Sequence, residues 1–180
     1  MDKGNFYMKI RKASQRDAVK IAKVHVDSWK STYKDILPDK LLNSLTYEQR
    51  TKLWENNLKE QQVYIAENSG DEIIGFSVGG KERTEKYDDY NGELFAIYIL
   101  EVYQGKGIGK LLLRPVIDEL KQMGINSMIV LVLEDNPAKY FYESLGAKKI
   151  DTLKIKIAGV EFKELVYGWE NLEDVNLIEG

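Results

Sequence analysis

The sequence predicts a single α+β domain with seven strands and about four helices. Three observations support this class. The chain has 180 residues, 43% of them hydrophobic, which suits one domain with its own core. Some segments are short apolar runs, whereas others repeat apolar residues every three or four positions, as strands and helices do. The resulting order is strand, helix, helix, three strands, helix, strand, helix and two strands.

The first half of the chain contains three of these strands and two helices. Ser14 and Asp17 have capping-box spacing, and Thr46 opens a second capping box. Asn68-Ser69-Gly70-Asp71 separates two apolar runs as a hairpin turn does. The predicted elements are strand 8–11, helix 15–33, helix 46–59 and strands 63–67 and 72–80.

The second half contributes four strands and two helices. Pro115 lies inside the first of these helices, where a proline removes a hydrogen-bond donor, so we expect a kink there. The predicted elements are strand 93–102, helix 107–123, strand 127–133, helix 137–145 and a hairpin of strands 149–156 and 162–169. The domain therefore spans residues 8–169, and residues 1–7 and 170–180 are expected to be tails. The charged stretch 81–89 is expected to be a solvated loop.

The composition excludes several kinds of active site. The chain has no cysteine and one histidine, His25. Cysteine nucleophiles, disulfides and cysteine-ligated metals are therefore excluded, and we expect no metal site. The formal net charge of −3 argues against a dedicated nucleic-acid binder.

The sequence shows no segment that would address or anchor the chain to a membrane. Met1–Tyr7 lacks the apolar core of a signal peptide. The longest apolar runs, Leu94–Leu100 and Met128–Leu133, are too short to span a bilayer. We therefore predict a cytoplasmic protein with no membrane partner.

A glycine-rich turn, Gln104–Lys110, is the most informative segment. It follows an apolar strand and opens a helix, so free N–H groups and the helix dipole favour a phosphate group there. Its glycines, at 105, 107 and 109, match neither the P-loop nor the Rossmann spacing.

Two longer segments carry a family resemblance. Glu93–Leu113, an apolar strand that leads into Gln104, Gly107 and Gly109, resembles motif A of the GNAT superfamily of acetyl-CoA-dependent N-acetyltransferases. About thirty residues later, Asn136–Ala147 is similar to motif B of that family. The resemblance covers residues 8–169, and one departure is Glu101, where many members have proline.

The resemblance implies a mixed, mostly antiparallel sheet of seven strands, flanked by about four helices, in which strands four and five are parallel and splay apart. It also implies that acetyl-CoA is the co-substrate and that it lies between these two strands. The pantetheine arm would pair with the backbone of strand four, and the pyrophosphate would sit on the glycine-rich turn. Asn136 and Ala138 would approach the pantetheine, and Tyr142 the sulfur. The implied cofactor-binding residues are Ile97, Tyr98, Ile99, Gln104, Gly105, Lys106, Gly107, Ile108, Gly109, Lys110, Asn136, Ala138 and Tyr142.

The implied chemistry is direct attack of an amine on the thioester, without an acyl-enzyme. Tyr142 is the implied general acid, and the N–H of Ile99 the implied oxyanion donor. Glu93 is the candidate base, acting through water; simple alternation would put it on the same strand face as Ile97 and Ile99. Glu134 is a weaker base candidate.

The acceptor amine is the least defined part of this interpretation. Trp29 and Tyr33 share a helical face with His25, so they either pack in the core or form walls of the amine pocket. We expect His25 itself to be structural. A small-molecule amine is the favoured acceptor; a protein amine, or a non-catalytic acyl-CoA-binding module, is the alternative. A homodimer is common in the family, and the C-terminal hairpin would contribute to one.

Overall fold

One seven-stranded sheet organises the computed structural model, which describes residues 7–178. The strands are β1 (Met8–Lys12), β2 (Val63–Asn68), β3 (Ile73–Lys81), β4 (Gly92–Ile99), β5 (Met128–Leu133), β6 (Lys148–Ile157) and β7 (Val160–Trp169). Their order across the sheet is β1-β2-β3-β4-β5-β7-β6. The pairing is antiparallel everywhere except between β4 and β5, which are parallel. The predicted fold class is therefore confirmed.

Five helices cover the two faces of the sheet. They are α1 (Ala18–Tyr33), α2 (Asp39–Ser44), α3 (Tyr47–Glu60), α4 (Ile108–Gln122) and α5 (Ala138–Ser144). On one face, α1 and α3 bury Ile21 and Trp54 against Phe76 of β3. On the other, α4 buries Leu113 and Val116 against the sheet. We call these the α1 face and the α4 face. Helix α2 was not predicted from the sequence, because its six residues are too few to show a helical period.

The start of α1 is tied to the edge of the sheet. The carboxylate of Asp17 accepts the Ser14 backbone N–H at 2.8 Å, which is half of the predicted capping box. It also pairs with Arg11 of β1 at 2.9 Å, and Arg11 in turn pairs with Glu67 of β2 at 3.0 Å. The hydrogen bond from Arg11 is the main reason that the pKa of Asp17 falls to about 2.

Helix α4 lies close to β3 and stays unbroken at Pro115. The buried Ser77 hydroxyl of β3 donates to the Leu112 carbonyl at 2.7 Å, one turn before the proline. A Cβ at Gly79 would lie 2.6 Å from Val116 Cγ1, so only glycine allows this close packing. The helix therefore continues through Pro115, next to a point where the sheet supports it from one side.

The C-terminal segment after β7 is packed against the domain, although we expected a tail from residue 170. Leu172 and Val175 are buried against the α4 face. The Asn176 N–H donates to the Leu145 carbonyl at 3.0 Å. The packed part of the chain thus extends beyond Trp169. Residues 1–6 and 179–180 of the expected tails lie outside the described residues.

Candidate active site

Strands β4 and β5 separate after a short stretch of pairing. Their parallel register covers Gly92↔Met128, Glu93↔Ile129 and Leu94↔Val130 only. Beyond Leu94, residues 95–99 of β4 and 130–132 of β5 line the two sides of a cavity of about 680 Å³. The gap therefore opens within the sheet itself, where the two strands stop pairing.

A β-bulge at Phe95 lies where the gap begins. On β3, Val78 pairs with Ala96 and the next residue, Gly79, pairs with Leu94. No residue of β3 therefore pairs with Phe95. A bulge reverses the alternation of the strand and bends it. The pairing between β4 and β5 ends at Leu94, directly before the bulge, so the bulge lies where the cavity opens.

The backbone of β4 presents hydrogen-bonding groups to the gap. The Leu100 N–H donates to Ile74 of β3 at 2.9 Å, so the N–H groups of Ile97 and Ile99 point the other way, towards the gap. The Ile99 carbonyl accepts the side-chain amide of Gln104 at 3.0 Å. The free groups that remain suit an extended chain lying along β4, as a pantetheine arm would.

The glycine-rich turn closes one end of the gap and begins α4. Gly105 and Gly107 have φ values of 72° and 82°, a conformation that residues with a Cβ atom rarely adopt. The first N–H groups of α4 have no partner within the helix and point outwards from its start. A diphosphate fits this arrangement because both the N–H groups and the helix dipole favour an anion.

Three polar side chains meet at the opposite wall of the cavity. Asn136 donates from Nδ2 to the Tyr33 hydroxyl at 3.2 Å, and its Oδ1 accepts the Ala138 N–H at 2.9 Å. Tyr142 is buried, and its hydroxyl makes no hydrogen bond to any residue from 7 to 178. Burial raises the pKa of the Tyr142 phenol, and the nearby phenols of Tyr98 and Tyr33 raise it further. This phenol stays protonated at neutral pH and can act as a proton donor.

The cavity brings together most of the residues that the sequence singled out. It is lined by Tyr33, Ile97, Tyr98, Ile99, Gln104, Gly105, Gly107, Ile108, Gly109, Lys110, Asn136, Ala138 and Tyr142. The Lys106 ammonium lies 5.6 Å from the centre of the Tyr103 ring, and Lys106 itself does not line the cavity. Lys110 lines it, and its ammonium also donates to the Ile178 carbonyl at 2.8 Å.

Trp29 and Glu93 lie just outside this lining. The Trp29 ring packs against Tyr33, with ring centres 4.8 Å apart, and so forms the layer behind it. Glu93 is buried, and its carboxylate accepts the Arg83 guanidinium at 2.6 Å. Simple alternation was wrong for Glu93: because of the bulge it pairs with Gly80 and lies on the α1 face, opposite to Ile97 and Ile99.

Arg83 and Glu164 are two further charged residues that interact with Glu93 and that the sequence did not single out. Arg83 comes from the stretch that was expected to be a solvated loop, yet it covers Glu93 and stacks 4.2 Å from the Phe95 ring centre. Glu164 of β7 pairs with Leu133 and therefore shares the α1 face. Burial raises the pKa of Glu164, and the charge of Glu93 raises it further. A sequence signal existed for Glu164, because it interrupts the apolar face that Phe162 and Val166 define.

Within residues 7–178, no group of three or more histidine, cysteine or acidic side chains is arranged to hold a metal ion. In the same range, no helix combines the length and apolarity needed to cross a membrane.

A parallel pair that splays apart beside a phosphate-type turn, with a buried phenol at the gap, is the architecture of an acyl-CoA-dependent transferase. Residues 27–147 match the acetyltransferase (GNAT) family. The chain therefore belongs to this family and is an N-acetyltransferase. Its members take the acetyl group from acetyl-CoA, and acetyl-CoA is the co-substrate of this chain.

Two curated proteins illustrate the relationship. The chain is 39% identical over 163 residues to YuaI of Bacillus subtilis (strain 168), described as an uncharacterized N-acetyltransferase, with 91% of this chain and 93% of YuaI covered. It is 35% identical over 99 residues to the [ribosomal protein bS18]-alanine N-acetyltransferase of Haemophilus influenzae, where 55% of this chain and 64% of the relative are covered.

Solved structures share the fold. The PaiA N-acetyltransferase of Thermoplasma acidophilum, in complex with coenzyme A, superimposes with a TM-score of 0.71 at 24% identity, covering 88% of this chain and 98% of that one. The acetyltransferase yncA of Salmonella typhimurium, with acetyl-CoA, gives a TM-score of 0.69 at 23% identity over 92% and 94% of the two chains.

Proposed function

We propose that the protein transfers the acetyl group of acetyl-CoA directly to the primary amine of a small molecule. The observation that carries this proposal is that one cavity, at the β4–β5 gap, is shared by the parts of the site. The glycine-rich turn, the free β4 backbone and the buried Tyr142 phenol all border it. Donor and acceptor can therefore meet in one ternary complex. No cysteine is needed, since the reactive sulfur belongs to coenzyme A.

The proposed donor site follows the walls of the gap. The turn from Gln104 to Lys110 holds the pyrophosphate on backbone N–H groups. The pantetheine arm lies along Ile97, Tyr98 and Ile99, and reaches Asn136 and Ala138. This path leads the thioester to Tyr142.

The proposed chemistry divides into attack and departure. The amine nitrogen forms a bond to the acetyl carbon while the Ile99 N–H stabilises the oxyanion. The carbon–sulfur bond then breaks, and the leaving sulfur takes a proton from Tyr142. The excess proton of the ammonium passes through water to Glu93 and then to solvent, and the Tyr142 phenolate recovers its proton from the new amide nitrogen.

The charges and the packing on the α1 face favour a small acceptor that carries a positive charge. An amine arrives as an ammonium ion, and the carboxylates of Glu93 and Glu164 lie on this face. The β6–β7 hairpin packs Ile155 and Phe162 into the cluster that contains Tyr33 and Leu37, which narrows the approach from this side. A narrowed approach suits a small molecule better than a folded protein.

A protein N-terminus is the second candidate acceptor. It is favoured by the 35% identity with the enzyme named for ribosomal protein bS18 alanine. A flexible N-terminal peptide presents one amine on an extended chain, and such a chain passes through a narrow opening.

An acceptor panel distinguishes these proposals. Free coenzyme A released from acetyl-CoA is measured with polyamines, aminoglycosides, amino acids and peptides that begin with alanine, each against a reaction without acceptor. We expect a small amine to give saturable release and a product heavier by one acetyl group. Saturable release with the peptides alone would transfer the proposal to a protein acceptor. The cytoplasmic location and the homodimer stay predictions.

A further inference from the structure

Tyr33 and Asn136 join two distant parts of the chain at the wall of the cavity. Tyr33 ends α1, Asn136 follows β5, and 103 residues separate them. Both side chains are nearly enclosed, with exposed fractions of 7% and 6%. Their hydrogen bond, at 3.2 Å, is therefore shielded from water.

The direction of this hydrogen bond is determined by the neighbouring backbone. Asn136 Oδ1 accepts the Ala138 N–H at 2.9 Å, so the carbonyl end of the amide faces α5. The amino end, Nδ2, must then face Tyr33 and donate to its oxygen. Tyr33 is the acceptor in this bond, and its own O–H hydrogen is left for another partner.

No residue from 7 to 178 accepts the Tyr33 hydrogen. Tyr33 lines the same cavity as Tyr142 and Ile99, so a ligand in this cavity can accept it. Burial raises the pKa of the Tyr33 phenol, which keeps the hydrogen in place at neutral pH.

We propose that the Tyr33 hydroxyl, oriented by Asn136, donates a hydrogen bond to the carbonyl oxygen of the bound acetyl group. The inference rests on the proposed function, and it gives Tyr33 a polar role beyond that of a pocket wall. The carbonyl oxygen is the natural acceptor because it gains negative charge during attack, whereas a thioester sulfur accepts hydrogen bonds weakly. Together with the Ile99 N–H, Tyr33 would complete a two-donor oxyanion site.

The test compares two ligands that differ by the acetyl group. Dissociation constants of acetyl-CoA and free coenzyme A are measured by calorimetry for the wild type and for Tyr33→Phe. Losing one hydrogen bond should weaken acetyl-CoA binding by roughly 3- to 10-fold and leave coenzyme A binding within 2-fold. The kcat should fall by roughly 10²-fold, because the bond strengthens as the oxyanion forms.

A second variant tests the orientation by Asn136. In Asn136→Asp, one carboxylate oxygen still accepts the Ala138 N–H, and the other accepts the Tyr33 hydrogen instead of donating to it. This variant should weaken acetyl-CoA binding more than coenzyme A binding although Tyr33 is intact, and any loss that is equal for the two ligands reports the contact of Asn136 with the pantetheine arm. Tyr64→Phe is the matched control, because the Tyr64 hydroxyl bonds to Gln62 and Glu119 instead of lining the cavity.

Tyr33→Phe binding that is unchanged for both ligands, or equally weakened for both, would overturn the inference. A wild type that binds neither ligand would overturn the proposed function, and the inference with it.

Discussion

The indole N–H of Trp54 on α3 donates to Nδ1 of His25 on α1, over a distance of 3.0 Å. His25 also stacks on Tyr98 of β4, with ring centres 5.4 Å apart. Because Tyr98 lines the cavity, His25 lies directly behind the cavity wall. Nδ1 can accept a hydrogen bond only while it carries no proton. Burial, helped by the positive charge of Arg50, lowers the pKa of His25 to about 4.

The free energy of unfolding should therefore fall as the pH drops from about 6.5 to about 4. In this range the unfolded chain binds a proton at His25 and the folded chain does not, so acid favours unfolding. The contribution is fully present above the ordinary histidine pKa of 6.5, and its upper bound is about 3 kcal/mol. Urea unfolding at a series of pH values measures the decline.

The titration of His25 can be read directly, since it is the one histidine in the sequence. NMR spectra should show its ring signals shifting near pH 4 in the folded protein, with Nδ1 as the unprotonated nitrogen at pH 7. In urea the same signals should titrate near 6.5. An equal pKa in the folded and the unfolded chain would show that burial does not shift the titration of His25.

Replacing Tyr142 with phenylalanine should slow turnover and leave the binding of acetyl-CoA nearly intact. The change removes one oxygen from a buried ring and keeps its packing. If Tyr142 protonates the leaving sulfur, kcat should fall by roughly 10²-fold. Steady-state kinetics and calorimetric binding of acetyl-CoA give the two quantities.

Tyr140→Phe is the control for this variant. Tyr140 lies on the same helix, but 62% of its surface is exposed, and it does not line the cavity. Its replacement should leave kcat within 2-fold of the wild type. A Tyr142→Phe enzyme that is as fast as the control would remove Tyr142 from the role of acid.

Gly109 and Gly107 should respond differently to alanine, although both belong to the glycine-rich turn. A Cβ on Gly109 would lie 2.8 Å from the Phe141 ring, so Gly109→Ala must displace a ring that lines the cavity. We expect a loss of about 1–3 kcal/mol in stability and weaker acetyl-CoA binding. Gly107 has open space around its Cβ position, so alanine there costs only the strain of its positive φ, about 1–2 kcal/mol.

Urea unfolding and calorimetry separate the two glycines. Shortening Phe141 to leucine in the Gly109→Ala background should restore part of the lost stability, whereas the same change should not help Gly107→Ala. Gly107→Glu should abolish acetyl-CoA binding, because a carboxylate would stand at the diphosphate. Unchanged affinity in Gly107→Glu would show that the phosphate site is wrongly assigned.

The sequence was most informative where local chemistry determines structure. Glycines are required at φ values of 72° and 82°, so Gly105 and Gly107 mark the turn in the sequence itself. Most helix and strand bounds followed from capping residues and apolar periods within one or two positions. The short helix α2 did not, since it has no period to detect.

Long-range geometry explains what the sequence left out. The bulge at Phe95 is a feature of the pairing between β3 and β4, and the alternation of residues within β4 carries no trace of it. The side of the sheet that Glu93 occupies was therefore predicted wrongly. Arg83 looked like one of many solvated charges, and only the folded chain brings it to Glu93. Similarly, the contact between Tyr33 and Asn136 depends on how α1 crosses the end of β5.

Replacing Glu93 with glutamine should move the acidic limb of kcat/KM for the acceptor to lower pH. The charge of Glu93 is the second cause, after burial, that raises the pKa of Glu164. In Glu93→Gln the pKa of Glu164 should therefore fall, so Glu164 stays ionised to lower pH. Because Glu93 is also the proposed base, Glu93→Gln should lower kcat. If the ionised Glu164 attracts the acceptor ammonium, the acidic limb of kcat/KM that remains should also move down in pH. Glu164→Gln should lose this limb and raise the acceptor KM, with acetyl-CoA affinity unchanged.

Glu161→Gln, an exposed position on the same hairpin, should keep the wild-type profile. A limb that stays in place in Glu93→Gln would show that Glu164 does not meet the acceptor.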